Sequence, residues 1–255
     1  MKRSLLLTML LIFWMVGMTF GSTQNKKILI AAAASLRYSY ENDLIPLFEK
    51  KYPDIKVEGT YDSSGKLQSQ IENGLDADIF MSASPKQMNV LLEKNLIDRD
   101  TMTELLENKI VLITGINSKT KVTDFKNILE AELIAIGDPK SVPAGQYAQE
   151  ALTSLNLWKE IEKKSTMGTN VTEVLNWIAQ DSAEVGIVYA TDAATTDKVK
   201  VLAEVPEGSL NKKVIYPVAI TAYSRDKESA KLFLEFLKSE EAKGVFKKYG
   251  FTPNK

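Results

Sequence analysis

The 255-residue chain contains no cysteine and no histidine. Without cysteine it has no disulfide and no residue to carry the lipid of the usual kind of lipoprotein, so it depends on its apolar core, which is feasible at this length. Without histidine, His-based catalytic triads and His-ligated metal sites are excluded. The chain also lacks an excess of either charge: 32 Lys and Arg stand against 33 Asp and Glu. Nothing in that balance suggests a nucleic-acid partner. Internal repeats, low-complexity segments and long Gly/Ser/Pro linkers are missing as well. With 44% apolar and 25% charged residues, the composition suits one globular protein of one or two domains.

The N-terminus differs from the rest. Lys2 and Arg3 precede the apolar run Leu5 to Phe20, and small residues follow near Gly21. This is the layout of a secretory signal peptide over residues 1–22, and it predicts a periplasmic protein. The competing reading is an uncleaved membrane anchor, since the run approaches the length of a spanning helix. Cleavage is favoured because small residues follow at once and no basic cluster comes before Lys26. Lys2 and Arg3 are the only charges in this segment, so its removal takes the formal net charge from −1 to −3.

The remainder alternates short apolar strands with amphipathic helical patterns, the mark of an α/β fold with mostly parallel strands. "KILIAAAAS" reads as a buried strand, and a helix with Leu44, Leu47 and Phe48 on one side follows it. Pro46 inside that pattern predicts a kink or the start of a second segment. "IKVEGTY" is the next strand, and Leu67, Ile71 and Leu75 form one apolar helix stripe after it. From about Asn108 the cycle repeats, through "KIVLITG", "ELIAIGD", "VGIVYA", "VKVLAEV" and "KVIYPVAIT". Two lobes without a linker predict crossing strands near 108–112 and 215–220, with a cleft between. The expected division is 23–108 plus 219–255 for lobe 1 and 109–218 for lobe 2.

The stretch "GTYDSSGKLQSQ" matches two catalytic motifs in part. A phosphate-binding loop needs four residues between its glycine and Gly-Lys-Ser/Thr. Here five separate Gly59 from Gly65, and Leu67 follows Lys66 where a metal-binding hydroxyl belongs. The Ser-x-x-Lys spacing of Ser63 and Lys66 suggests a penicillin-recognising serine hydrolase, but the accompanying Ser-Asp-Asn and Lys-Thr-Gly elements are missing. No histidine is available to activate Ser63 either.

Helix physics offers a third reading. The first turn of a helix leaves N–H groups unpaired and carries partial positive charge, which favours an anion. A single serine at such a point is ordinarily just an N-cap. Here the feature recurs: Ser35 and Ser63-Ser64 each follow a strand, "SVPAG" opens a helix at Ala144, and "TNV" opens another at Val171. Two fall in each expected lobe. Tyr189 ends the strand "GIVYA"; it is either a core aromatic or a hydroxyl donor at the usual α/β ligand crevice.

Taken together, "AAASL", "SSGKLQSQIENGLDADIFMSAS", "IAIGDPKSVPAGQYAQEAL", "GIVYATDA", "YPVAIT" and "FKKYGFT" resemble the periplasmic molybdate-binding proteins of ABC transporters, of the type II periplasmic solute-binding family. The resemblance covers essentially the whole chain after the leader. It implies a two-lobed fold with the ligand cleft between two mixed-sheet α/β lobes, no enzymatic activity and no cofactor. It implies molybdate and tungstate as ligands, a membrane permease as partner, and a monomer. The ligand residues it implies are Ser35, Ser64, the amides of Ala144 and Val171, and the hydroxyl of Tyr189, with no direct cation ligand. Ser64 is favoured over Ser63 by its spacing to Leu67. Asp62 stands where a small or apolar residue is expected, and is expected to point outward. A donor-only site suits molybdate, tungstate or sulfate, because protonated phosphate needs an acceptor. A binding protein of the same fold for another oxyanion such as sulfate is the alternative reading.

Overall fold

The structure is a computed structural model that describes residues 26–254. The expected signal peptide, 1–22, lies outside the described residues. Among the described residues, no helix is long and apolar enough to cross a membrane.

The chain builds two mixed sheets with helices packed on them. In the first, strand β1 (Lys26–Ala33) lies between and parallel to β2 (Ile55–Asp62) and β3 (Ile79–Met81). Antiparallel β10 (Val214–Ile220), β4 (Thr103–Asn108) and the short β11 (Thr252–Pro253) complete the order β11-β4-β10-β3-β1-β2. The second sheet runs β7-β6-β8-β5-β9. Its members are β5 (Ile110–Gly115), β6 (Ile134–Gly137), β7 (Ser165–Gly168), β8 (Val185–Tyr189) and β9 (Val199–Glu204).

The chain leaves the first sheet between β4 and β5, at Lys109, and returns between β9 and β10. This return comes earlier than the expected crossing at 215–220. Val214 pairs with Asn108 and Val218 with Met81, so residues 214–218, assigned above to the second lobe, are bonded into the first sheet. The physical reason is that "VIYPVAI" is one continuous buried strand and cannot be shared between sheets. The polar, turn-forming "PEGSLNKK" before it makes the crossing instead.

After β1 the chain forms a short 3-10 turn (Ala34–Leu36), then α1 (Arg37–Ser39) and α2 (Ile45–Lys51), joined through a π-helical turn at Tyr40–Leu44. Pro46 sits just past that turn. Proline lacks an N–H and crowds the carbonyl four residues back, and the wider turn relieves both problems without ending the helix. Phe48 of α2 then packs edge-on against Phe233 of α9 (Lys227–Lys238), with ring centroids 4.7 Å apart. Phe246 of α10 (Glu240–Lys248) extends this aromatic core through Tyr40.

The remaining helices are α3 (Ser64–Glu72), α4 (Pro85–Glu93), α5 (Pro143–Ser154), α6 (Trp158–Lys164), α7 (Val171–Ala179) and the single turn α8 (Ala190–Ala193). Helix α7 buries Val174, Leu175 and Ile178. Each contributes about 1.5–3 kcal/mol on full burial, which holds the N-terminus of α7 rigidly at the rim of its sheet.

Candidate functional site

Each expected site residue follows from a local device. Ser35 sits in the 3-10 turn that ends β1. Ser64 is the first residue of α3, after the extended N-cap Ser63. Ala144 is the second residue of α5, where Pro143 at the first position costs no hydrogen bond. Gly145 then lets α5 lie against β6: a Cβ there would fall 1.9 Å from the carbonyl oxygen of Gly137. Val171 opens α7 behind Asn170, whose side chain caps the helix by accepting from the Glu173 N–H at 3.0 Å. Tyr189 closes β8.

All five line one small cavity between the lobes. Ala33, Ala34, Ser35, Ser63, Ser64 and Ala83 come from the first lobe, and Val142, Pro143, Ala144, Val171 and Tyr189 from the second. None of these lining residues carries a charge. The space at its centre is about 10 Å³, so the lobes are closed on it. Hydrogen bonds between the lobes include Gly65 N–H to Ser141 O at 2.9 Å, Tyr189 O–H to Ala83 O at 3.2 Å, Gln87 Nε2 to Gln146 Oε1 at 3.2 Å, Asn170 Nδ2 to Asp62 Oδ1 at 3.4 Å and, near the crossings, Asn108 Nδ2 to Thr191 Oγ1 at 2.9 Å.

The hydroxyls are polarised toward donation. Ser64 Oγ accepts from the Ala83 N–H at 3.0 Å, which leaves its own proton free. Asn108 Oδ1 accepts from the Lys109 N–H at 2.8 Å, which turns its Nδ2 toward Tyr216, 3.1 Å away. The Tyr216 hydroxyl and Ser35 Oγ share a hydrogen bond at 3.0 Å in which either can donate; when Tyr216 donates, the Ser35 proton is left for a ligand. Burial pushes the Tyr189 and Tyr216 hydroxyls well above their ordinary pKa, so both remain neutral donors. Burial likewise pushes the nearby Asp192 carboxyl up to about 7.

Asp62 is not among the lining residues. Its Oδ1 accepts from the Ser63 N–H at 2.7 Å and pairs with Lys66 at 3.3 Å, so the carboxylate turns away from the cavity, as expected. Lys66 is this half-exposed partner.

Three residues that sequence reasoning did not single out organise the site. Ala83 binds Ser64 through its N–H and Tyr189 through its carbonyl. A backbone role of this kind leaves no trace in residue type. Asn108 and Tyr216 act through contacts more than a hundred residues apart in the chain. Their only sequence signal is the position of "YPVAIT" and of the β4 end beside the crossings.

Residues 28–252 match the model of the bacterial extracellular solute-binding protein family. The chain belongs to that family. It is a solute-binding protein and not an enzyme, and it acts outside the cytoplasm with ABC transporters. Among relatives of this solute-binding protein, the molybdate-binding protein ModA of Haemophilus influenzae is 37% identical over 92% of this chain and 94% of its own. The ModA of Escherichia coli is 38% identical over 89% of each. The solved periplasmic molybdate-binding protein of Azotobacter vinelandii superposes with a TM-score of 0.77 over 89% of this chain and 100% of that one, at 20% identity, which shows the shared two-lobed fold.

Proposed function

We propose that this solute-binding protein captures molybdate, and tungstate with it, in the interlobe cavity and delivers it to the membrane permease of an ABC transporter. The carrying observation is the cavity itself: it is buried, free of charged side chains, and lined from both lobes by groups that donate. Two relatives named as molybdate-binding, 37% and 38% identical, support the same ligand. In this reading Ser35 and Ser64 donate through their hydroxyls, and Tyr189 does so by turning its single O–H from the Ala83 carbonyl, 3.2 Å away, to the anion. The N–H groups of Ser35, Ser64, Ala144 and Val171 complete the shell, and no cation ligand or cofactor takes part.

The chemistry accounts for the selection. A fully ionised dianion needs donors alone, whereas phosphate near neutral pH carries a proton that would lie buried without an acceptor, at a cost of about 1–3 kcal/mol. Helix N-termini of α3, α5 and α7 add partial positive charge without any cation to attract a competing carboxylate. Sulfate is also fully ionised and is smaller than molybdate, so charge does not separate the two, and its rejection would rest on the span of the donor shell around the larger anion. The protein works in the periplasm as a monomer, without nucleic acid, and binding closes the lobes into the form the permease receives.

A thermal-shift series tests this. Molybdate or tungstate at a thousand times its dissociation constant stabilises the protein by about 4 kcal/mol. Sulfate and phosphate at the same concentrations produce little shift. A larger shift with sulfate overturns the molybdate reading.

A further inference from the structure

Ser63 holds the N-cap position of α3, yet its side chain makes no capping hydrogen bond. A serine at that position ordinarily accepts from an N–H in the first turn. Here the Gly65 N–H is taken across the cleft by Ser141 O at 2.9 Å. The other polar groups of Ser63 are committed: its N–H donates to Asp62 Oδ1 at 2.7 Å, and its carbonyl accepts from the Leu67 N–H at 3.1 Å. Its hydroxyl is the exception. The residue is 3% exposed, Oγ is buried without a hydrogen-bond partner among the described residues, and the side chain lines the interlobe cavity.

A buried hydroxyl left unpaired is destabilising, so one that persists beside a ligand cavity has its partner in the ligand. We infer that the Ser63 hydroxyl is a further hydrogen-bond donor to the bound oxyanion, beyond the shell formed by Ser35, Ser64, Ala144, Val171 and Tyr189. The two adjacent serines then differ in role. Ser64 is oriented by the Ala83 N–H even without ligand, whereas Ser63 gains its partner only on binding.

The inference rests on the molybdate reading above, and the test separates the two. Molybdate is titrated calorimetrically into the wild-type protein and into Ser63→Ala, and the ligand-free melting temperature of each is recorded. Deleting the hydroxyl weakens molybdate binding by about tenfold or more, the loss of a hydrogen bond to a charged group. The ligand-free melting temperature stays the same or rises, because an unpaired buried hydroxyl has been removed. A structural cap would behave oppositely, with a lower ligand-free melting temperature and unchanged affinity, and that result overturns the inference. Ser63→Gly, a second hydroxyl deletion tolerated at an N-cap, is read in the same way. Wild-type protein that fails to bind molybdate contradicts the functional reading instead; tight wild-type binding with equal binding by both variants contradicts only the role of Ser63.

Discussion

The backbone N–H of Gly65, in the first lobe, donates to the carbonyl oxygen of Ser141, in the second, at 2.9 Å. A Cβ at residue 65 would stand 2.4 Å from that same oxygen, so only glycine permits the approach. Gly65→Ala therefore holds the lobes apart at the edge of the cavity. Molybdate affinity should fall by about tenfold or more, because donors from both lobes no longer converge. The open form should be undamaged or slightly more stable, since alanine is about 1 kcal/mol better than glycine in a helix. Wild-type affinity in this variant, measured by calorimetry, would show that closure does not require this contact.

The Asp62 carboxylate lies next to the site in sequence but is neutralised by Lys66 and turned outward. Partly exposed ion pairs of this kind are worth about 0–1 kcal/mol, and the bond to Asn170 is long. Asp62→Ala should change molybdate affinity by less than about fivefold in either direction at physiological salt. A large gain in affinity would mean that the carboxylate faces the anion.

Asn108 donates to the Tyr216 hydroxyl, which shares a hydrogen bond with Ser35 Oγ. With Tyr216 as the donor of that bond, Tyr216→Phe frees a Ser35 lone pair, and Ser35 can then turn its oxygen, not its proton, toward the cavity. The expected result is molybdate binding weaker by about tenfold, with a smaller margin over phosphate. Competition titrations of the two anions would check this, and an unchanged margin would refute the relay.

Asp192 gives the stability a defined pH dependence. Its pKa rises from 3.8 to about 7 because the carboxyl is buried. Between those values the folded protein holds a proton that the unfolded chain releases, so stability from this group is full below the lower value. It declines as pH rises toward 7, by at most about 1.4 kcal/mol per unit. The wild type should therefore melt higher at pH 5 than at pH 8 by a margin that Asp192→Asn reduces. Equal margins in the two proteins would show that Asp192 does not titrate in this range.

What was legible in the sequence was local. The runs ending at Ser35 and before Ser63, and the helix starts marked by Pro143 and Asn170, announce themselves within a few residues, and these starts meet in the cavity. The outward turn of Asp62 was also readable, from the cost of placing a carboxylate beside an anion. What could not be read was set by distant contacts. The pairing of Val214 with Asn108 decides which lobe holds residues 214–218, and apolar pattern alone does not choose between two sheets. Ala83 acts through its backbone, and the Asn108–Tyr216–Ser35 chain exists only once both crossings are formed. The π-helical turn before Pro46 is likewise a compromise of packing, since the apolar core on either side outweighs the local break.

In the proposed reading, neutral donors from both lobes hold a fully ionised tetrahedral anion of molybdate size. Calorimetric titration of molybdate into the protein in a large excess of sulfate and phosphate tests it most directly. The expected result is a one-to-one isotherm that the competing anions leave nearly unchanged and that Ser64→Ala weakens by about tenfold or more. Loss of the molybdate signal in equimolar sulfate, or full affinity in Ser64→Ala, would contradict it.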